Sequence, residues 1–269
     1  MDGREFRIPN SCYRDSMPPI ALLTDFGHDD HYVGVVHAVL EREYPGVARI
    51  DLGHAVPAGD IWTASFQLRC AWPHLPSACV VLAVIDPGVG TSRRAVAVEI
   101  NGRYLVAPDN GLAAAVGTAA TAVELDWRTM GLEKPSATFH GRDLFAPAAA
   151  RLAAGGSIGD LGAAIDRGGL VQCPLPEPSP SDRGLEGVIL VVDRFGNLAT
   201  NVRDDEHPGL TEARWRADSV ARRVTTYAEG APDEVVLLEG SAGYLELAVN
   251  CGSAADATGL ERGDAVLMR

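Results

Sequence analysis

Residues 79–85 read CVVLAVI, an unbroken apolar run that constrains the fold more than any other stretch of the chain. A strand with one wet face alternates apolar and polar residues. An unbroken run fits a strand covered on both faces, as in a parallel sheet between helices. Around it, short apolar runs alternate with helical patterns. Residues 19–24 and 47–52 read as strands, residues 60–71 as a helix, and residues 31–44 place Val33, Val36, Val39 and Leu40 on one helical stripe. Residues 94–100 alternate, Asn101-Gly102 is a strong hairpin signal, and residues 103–107 return. Residues 144–154 form an alanine-rich helical pattern closed by Gly155-Gly156. The expected fold class is α/β, with an N-terminal α/β domain over residues 19–170 built on a largely parallel central sheet.

The pattern changes at residues 171–184, VQCPLPEPSPSDRG, a proline-rich stretch that reads as a linker. Beyond it, residues 187–192, 198–202, 234–238, 244–249 and 265–268 read as strands with few helical patterns between them. A smaller C-terminal all-β domain over residues 185–269 is expected. Residues 1–18 are polar and patternless, as in a disordered tail or a remnant of expression.

A formal charge of −13 over 269 residues argues against nucleic acid or an anionic membrane as partner and suits a cationic small molecule. The five cysteines are scattered without CxxC spacing, which indicates neither a zinc ribbon nor a disulfide framework and fits a reducing, cytoplasmic setting. No apolar run approaches the ~20 residues needed to span a bilayer.

Ligands of open α/β sheets gather at the carboxyl ends of strands, which singles out Asp25, Asp86 and the pair Asp109-Asn110. Each also suits a cap or a turn, and Asp30 stands where a helix cap would. The stretch TDFGHDDHY, with His54 and His140, offers metal-ligand types in Asp25, His28, Asp29, Asp30 and His31. Adjacent residues cannot all point at one ion, and no HExxH is present, so a metal-dependent hydrolase is the alternative reading. IDPGVGTSRR is glycine-rich but lacks GxxxxGK[ST] and runs into a strand, so it has no helix N-terminus for a phosphate.

TDFGHDDHYVG, IDPGVGTSRR, APDNG, TFHGRDLFAP, DRFGNLATN and GSAGYLELAVN occur in this order from about residue 19 onward. The chain thereby resembles the S-adenosyl-L-methionine (SAM) hydroxide adenosyltransferases, the SAM hydrolases related to fluorinating and chlorinating enzymes. The resemblance implies hydrolysis of SAM to adenosine and L-methionine, with no cofactor and no metal, in a homotrimer whose sites lie between subunits. It puts the catalytic set on Asp86, Arg93 and His140, and the ribose hydroxyls on Asp25. Asp30, Asp193 and Ser241 then fall around the methionine end, and Phe195, Asn197 and the backbone near Cys251 around adenine.

Two positions depart from the pattern: Gly59, where relatives carry an aromatic, and Ala242, where halogenating relatives have an arginine. The halogenating branch also places a tyrosine, a threonine and a serine where this chain has Asp86, Val89 and Gly141. A carboxylate there would repel a halide, so water is the expected nucleophile and a SAM-dependent halogenase an alternative. A non-catalytic SAM- or adenosine-binding protein would need the clamp but not the Asp86, Arg93 and His140 set.

Overall fold

The computed structural model describes residues 17–269, so the expectation for residues 1–16 lies outside the described part. The chain divides into two compact units, one running to Ala64 and again over Ala71–Cys173, the other comprising Ser65–Cys70 and Pro174–Arg269.

The first half of the chain carries β1 (Ile20–Thr24), α1 (Tyr32–Glu43), β2 (Arg49–Gly53), α2 (Ile61–Ala71), β3 (Val80–Val84), β4 (Ala95–Ile100) and β5 (Arg103–Pro108). α3 (Leu112–Val116), β6 (Thr121–Leu125), α4 (Ala146–Ala153) and β7 (Gly162–Ala164) follow. Their strands form one sheet in the order β2-β1-β3-β5-β4-β6-β7. β2, β1, β3 and β5 are parallel neighbours. β5–β4, β4–β6 and β6–β7 are antiparallel. The sheet is therefore mixed, not largely parallel. The Asn101-Gly102 turn folds β5 back along β4, and every strand added on that side continues the antiparallel pairing.

All five residues of β1 and of β3 are buried, as the unbroken apolar runs require. α1 sends Val36, Val39 and Leu40 into the core. α4 buries every residue except Arg151, its small alanines allowing close approach all round. It is entered through a π-helical turn over Gly141–Phe145, in which the Ala146 N–H reaches the Gly141 carbonyl. Such turns recur at functional sites, and this one directly follows His140.

The second half carries β8 (Ser179–Ser181), β9 (Gly184–Val192), β10 (Leu198–Arg203), β11 (Glu212–Arg216), β12 (Ser219–Arg222), β13 (Val235–Glu239), β14 (Tyr244–Val249), α5 (Ala254–Thr258) and β15 (Ala265–Met268). The strand order is β12-β11-β15-β9-β10-β14-β13, with β8 beside β9. A bridge from Arg223 to Leu237 joins the two ends of that path, so the sheet nearly closes on itself. β11 and β12 were not among the expected strands, and two further findings differ from expectation. β8 lies within the proline-rich stretch, and α5, capped by the Ser253 hydroxyl accepting the Asp256 N–H at 3.1 Å, interrupts an otherwise all-β unit. No helix among the described residues is long and apolar enough to cross a membrane.

Candidate active site

Asp86 stands two residues past the end of β3. Arg93 grips its carboxylate on both oxygens: Nε donates to Oδ1 at 2.8 Å and Nη2 to Oδ2. The same Nη2 lies 2.8 Å from His140 Nδ1. Both charged side chains are largely out of solvent, Asp86 at 7% and Arg93 at 13% exposure, so the pair is a fixed element of the site and not a surface contact. Arg93 also sits over the Phe145 ring, 5.2 Å from its centroid. The three residues grouped from the sequence are thus in contact.

A guanidinium only donates, so His140 Nδ1 accepts, and the proton of the neutral ring sits on Nε2. Loss of solvent, then the Arg93 charge, push the His140 pKa below its ordinary value, with Asp86 and Asp143 opposing.

The loop between Asp86 and Arg93 turns on hydrogen bonds from Val89 N to Asp86 O at 3.2 Å and from Thr91 N to Gly88 O at 3.1 Å. Gly90 in this loop has φ +77°, and a Cβ there would stand 2.4 Å from the Ala137 carbonyl oxygen. The loop thereby rests on the segment that leads to His140.

A cavity of about 290 Å³ opens over these groups, lined among others by Asp25, Gly59, Asp86, Val89, His140 and Gly141. Asp25, just past β1, accepts the Gly59 N–H at 2.8 Å on Oδ2. Gly59 adopts φ +70°, a left-handed turn that presents this N–H. Burial raises the Asp25 pKa, the Gly59 bond opposes, and the Asp86 charge adds to the rise. Phe26 and Phe139 close one wall edge to face, at 5.7 Å between centroids.

The second unit holds its own cavity of about 570 Å³, lined by Phe195, Asn197, Tyr227, Val249, Cys251 and Gly252. Phe195 is 68% exposed, the most exposed large apolar side chain among those described. Asp193 does not line this cavity. Its Oδ1 accepts the Phe195 and Asn197 N–H groups at 2.8 and 2.9 Å, and Oδ2 accepts Asn197 Nδ2 at 3.0 Å, so it shapes the turn that presents them. The Tyr227 hydroxyl donates to Glu246 Oε1 at 2.5 Å; burial is the first cause pushing Tyr227 up to about 12 and raising Glu246. Neither Tyr227 nor Glu246 stood out in the sequence.

Asp109 and Asn110 have structural employment. Asp109 pairs with Arg94, Nε to Oδ2 at 2.9 Å, and accepts the Val171 N–H at 2.9 Å. Asn110 donates to the Ile85 carbonyl at 2.8 Å. Asp30 is exposed and caps nothing, since the α1 N-cap position is His31 and no side chain bonds there. Ser241 is exposed and lines neither cavity. Among the described residues the one grouping with metal-ligand geometry is His37, Asp51 and His54. Of these only His54 was a candidate; His37 and Asp51 lie on different elements, α1 and β2, and no sequence motif joins them.

Residues 20–162 match the SAM hydroxide adenosyltransferase N-terminal domain and residues 187–267 the C-terminal domain. The chain belongs to the SAM hydroxide adenosyltransferase family. A protein of Thermus thermophilus named (R)-S-adenosyl-L-methionine hydrolase is 44% identical over 92% of this chain and 98% of its own length. A fluorinase of Actinoplanes is 29% identical over 91% and 95%. The crystal structure of an uncharacterized conserved protein of Thermotoga maritima superposes with a TM-score of 0.85 at 33% identity, covering 93% of this chain and 99% of the other.

Proposed function

We propose that the protein hydrolyses SAM to adenosine and L-methionine by attack of water at C5′ of the ribose. Its membership of the family and its likeness to a named hydrolase support the reaction, and one observation carries the assignment of residues: Asp86, gripped by Arg93 beside His140, faces a cavity that Asp25 shares. The sulfonium departs as a neutral thioether and needs no general acid. The attacking water must lose a proton and needs an acceptor in line with the breaking bond.

Asp86 is that acceptor. The lone pair of His140 Nδ1 is occupied by Arg93, and its Nε2–H can only donate, so the ring orients the water or the ribose and does not take the proton. Asp25 accepts from the ribose hydroxyls on the oxygen that Gly59 leaves open. Asp30 and Ser241 belong to the methionine end, and Asp193 acts there only through the turn it shapes. Phe195, Asn197 and the Cys251 backbone hold adenine, in a neighbouring subunit of a homotrimer. Residues 19–170 and 185–269 serve as the two domains, in a reducing, cytoplasmic setting.

Halogenation is disfavoured. Val89 and Gly141 carry no hydroxyl, and the hydroxyl of Thr138, the one such group lining the cavity, lies 3.2 Å from that of Ser136. The test is turnover of SAM in ¹⁸O-water. Label should appear in the 5′-hydroxyl of adenosine and none in methionine, and added fluoride or chloride should give no 5′-halo product. Label in methionine, or absence of adenosine, would overturn the reading.

A further inference from the structure

We propose that His37, Asp51 and His54 form a binding site for one divalent transition ion of the zinc type. None of the three lines the cavity of Asp25, Asp86 and His140. His37 Nε2 lies 3.1 Å and His54 Nε2 3.2 Å from the same oxygen, Asp51 Oδ1, and the three ligand atoms all fall within 4.8 Å of one another. Ligands about 2.0–2.2 Å from a tetrahedral zinc stand roughly 3.3 Å apart, so the two separations from Asp51 Oδ1 match a shared ion.

The second observation is at His54. The residue is 1% exposed, and its Nε2 has no hydrogen-bond partner among the described residues although Asp51 Oδ1 is close. The ring is thus out of line for a bond to the carboxylate. An N–H···O bond wants its proton on the donor–acceptor line, whereas a metal ion sits off that line, between the two ligands. Buried polar atoms without partners are rare in folded proteins. The other ring nitrogen, Nδ1, lies 2.8 Å from the Thr24 hydroxyl, the kind of outer bond that orients a metal-binding imidazole.

The backbone is also shaped for this. Residues three apart on a regular strand face opposite ways, and Asp51 and His54 are three apart. The pairing of β2 with β1 steps from Leu22–Asp51 to Leu23–Gly53, and this extra residue resets the alternation so that both side chains reach one point. Asp51 is 48% exposed, which leaves room for a water as fourth ligand. Two imidazoles and a carboxylate with one open position suit zinc, cobalt or nickel, and not magnesium or calcium. An ion here would tie α1 to the edge strand β2.

Cobalt titration of the EDTA-stripped, dialysed protein tests the site. One ion per chain should bind, with visible d–d absorption, no thiolate-to-cobalt charge-transfer band, and displacement by zinc. His54→Ala risks misfolding a buried position, so the informative variants are His37→Ala and Asp51→Asn. Each should weaken binding at least tenfold, while His28→Ala should not. Zinc should raise the melting temperature of the wild type more than that of either variant at the same concentration. No binding up to millimolar cobalt, equal binding by the variants, or a thiolate band would overturn the proposal. SAM hydrolysis followed in the stripped protein reports on the catalytic reading separately.

Discussion

At His140 the loss of solvent and the Arg93 charge both disfavour the imidazolium. The folded protein therefore binds a proton there less readily than the unfolded chain does. Stability contributed by the neutral ring is intact above the ordinary value of 6.5 and declines as pH falls from there toward the folded pKa. Turnover follows the same direction, because a proton on Nδ1 would face Arg93. A pH–rate profile should stay flat through neutrality, with an acid limb whose midpoint lies below 6.5; a midpoint above it would remove the neutral ring from the mechanism. Asp86→Ala and His140→Ala should each lower kcat roughly 10²-fold with little change in KM, and Asp25→Ala should mainly raise KM, read by steady-state kinetics. EDTA should leave kcat unchanged, since Arg93 already supplies the cation that Asp86 and His140 face; activity lost to the chelator and restored by one divalent ion would revive the metal-hydrolase reading. The contact of Asp86, Arg93 and His140 was legible only through recognised motifs, since no spacing rule joins residues 47 apart. His37 and Asp51 were hidden for another reason: they sit on different elements, and Asp51 faces the same way as His54 only through a register step that strand alternation does not foretell.

Between elements, the glycine-rich loop meets the segment before the π-helical turn. Gly90→Ala would push a methyl into the Ala137 carbonyl and force an unfavourable positive φ. A loss of about 1–3 kcal/mol in unfolding free energy is expected, together with a fall in kcat as Asp86 and His140 are driven apart. Denaturant titration beside kinetics checks both, and wild-type values for each would show the loop does not bear on that carbonyl. The sequence carried β1, β3 and the β4–β5 hairpin because burial on both faces and an Asn-Gly turn leave local marks. It did not carry the direction of the sheet, which depends on where the hairpin docks: β5, not β4, pairs with β3. β11 and β12 were missed because EARWR and SVAR place arginines on their outer positions and read as polar loop. Asp30 misled in the opposite sense, since a good capping residue type before a helix is only a tendency and α1 begins without a side-chain cap.

For the whole molecule, the surplus of 13 negative charges favours a cationic substrate by long-range attraction, an effect that salt should weaken. The proposed trimer makes a sharper demand. Asp25, Asp86 and His140 line one cavity of the chain, while Phe195 and Asn197 line another, with Phe195 left 68% exposed. If each active site joins the first cavity of one subunit to the second cavity of its neighbour, an Asp86→Ala subunit ruins only the site it faces with its own Asp86, and a Phe195→Ala subunit only the site to which it lends its ring. Either variant alone assembles three defective sites. Co-expressed in equal amounts, they should regain about a quarter of wild-type activity, because a quarter of random neighbour pairs combine an intact Asp86 with an intact Phe195 in a cyclic trimer. Light scattering on the same samples should report three chains. Mixed assemblies no more active than either parent would place both halves of the site in one subunit, and a fully active monomer would remove the shared site altogether.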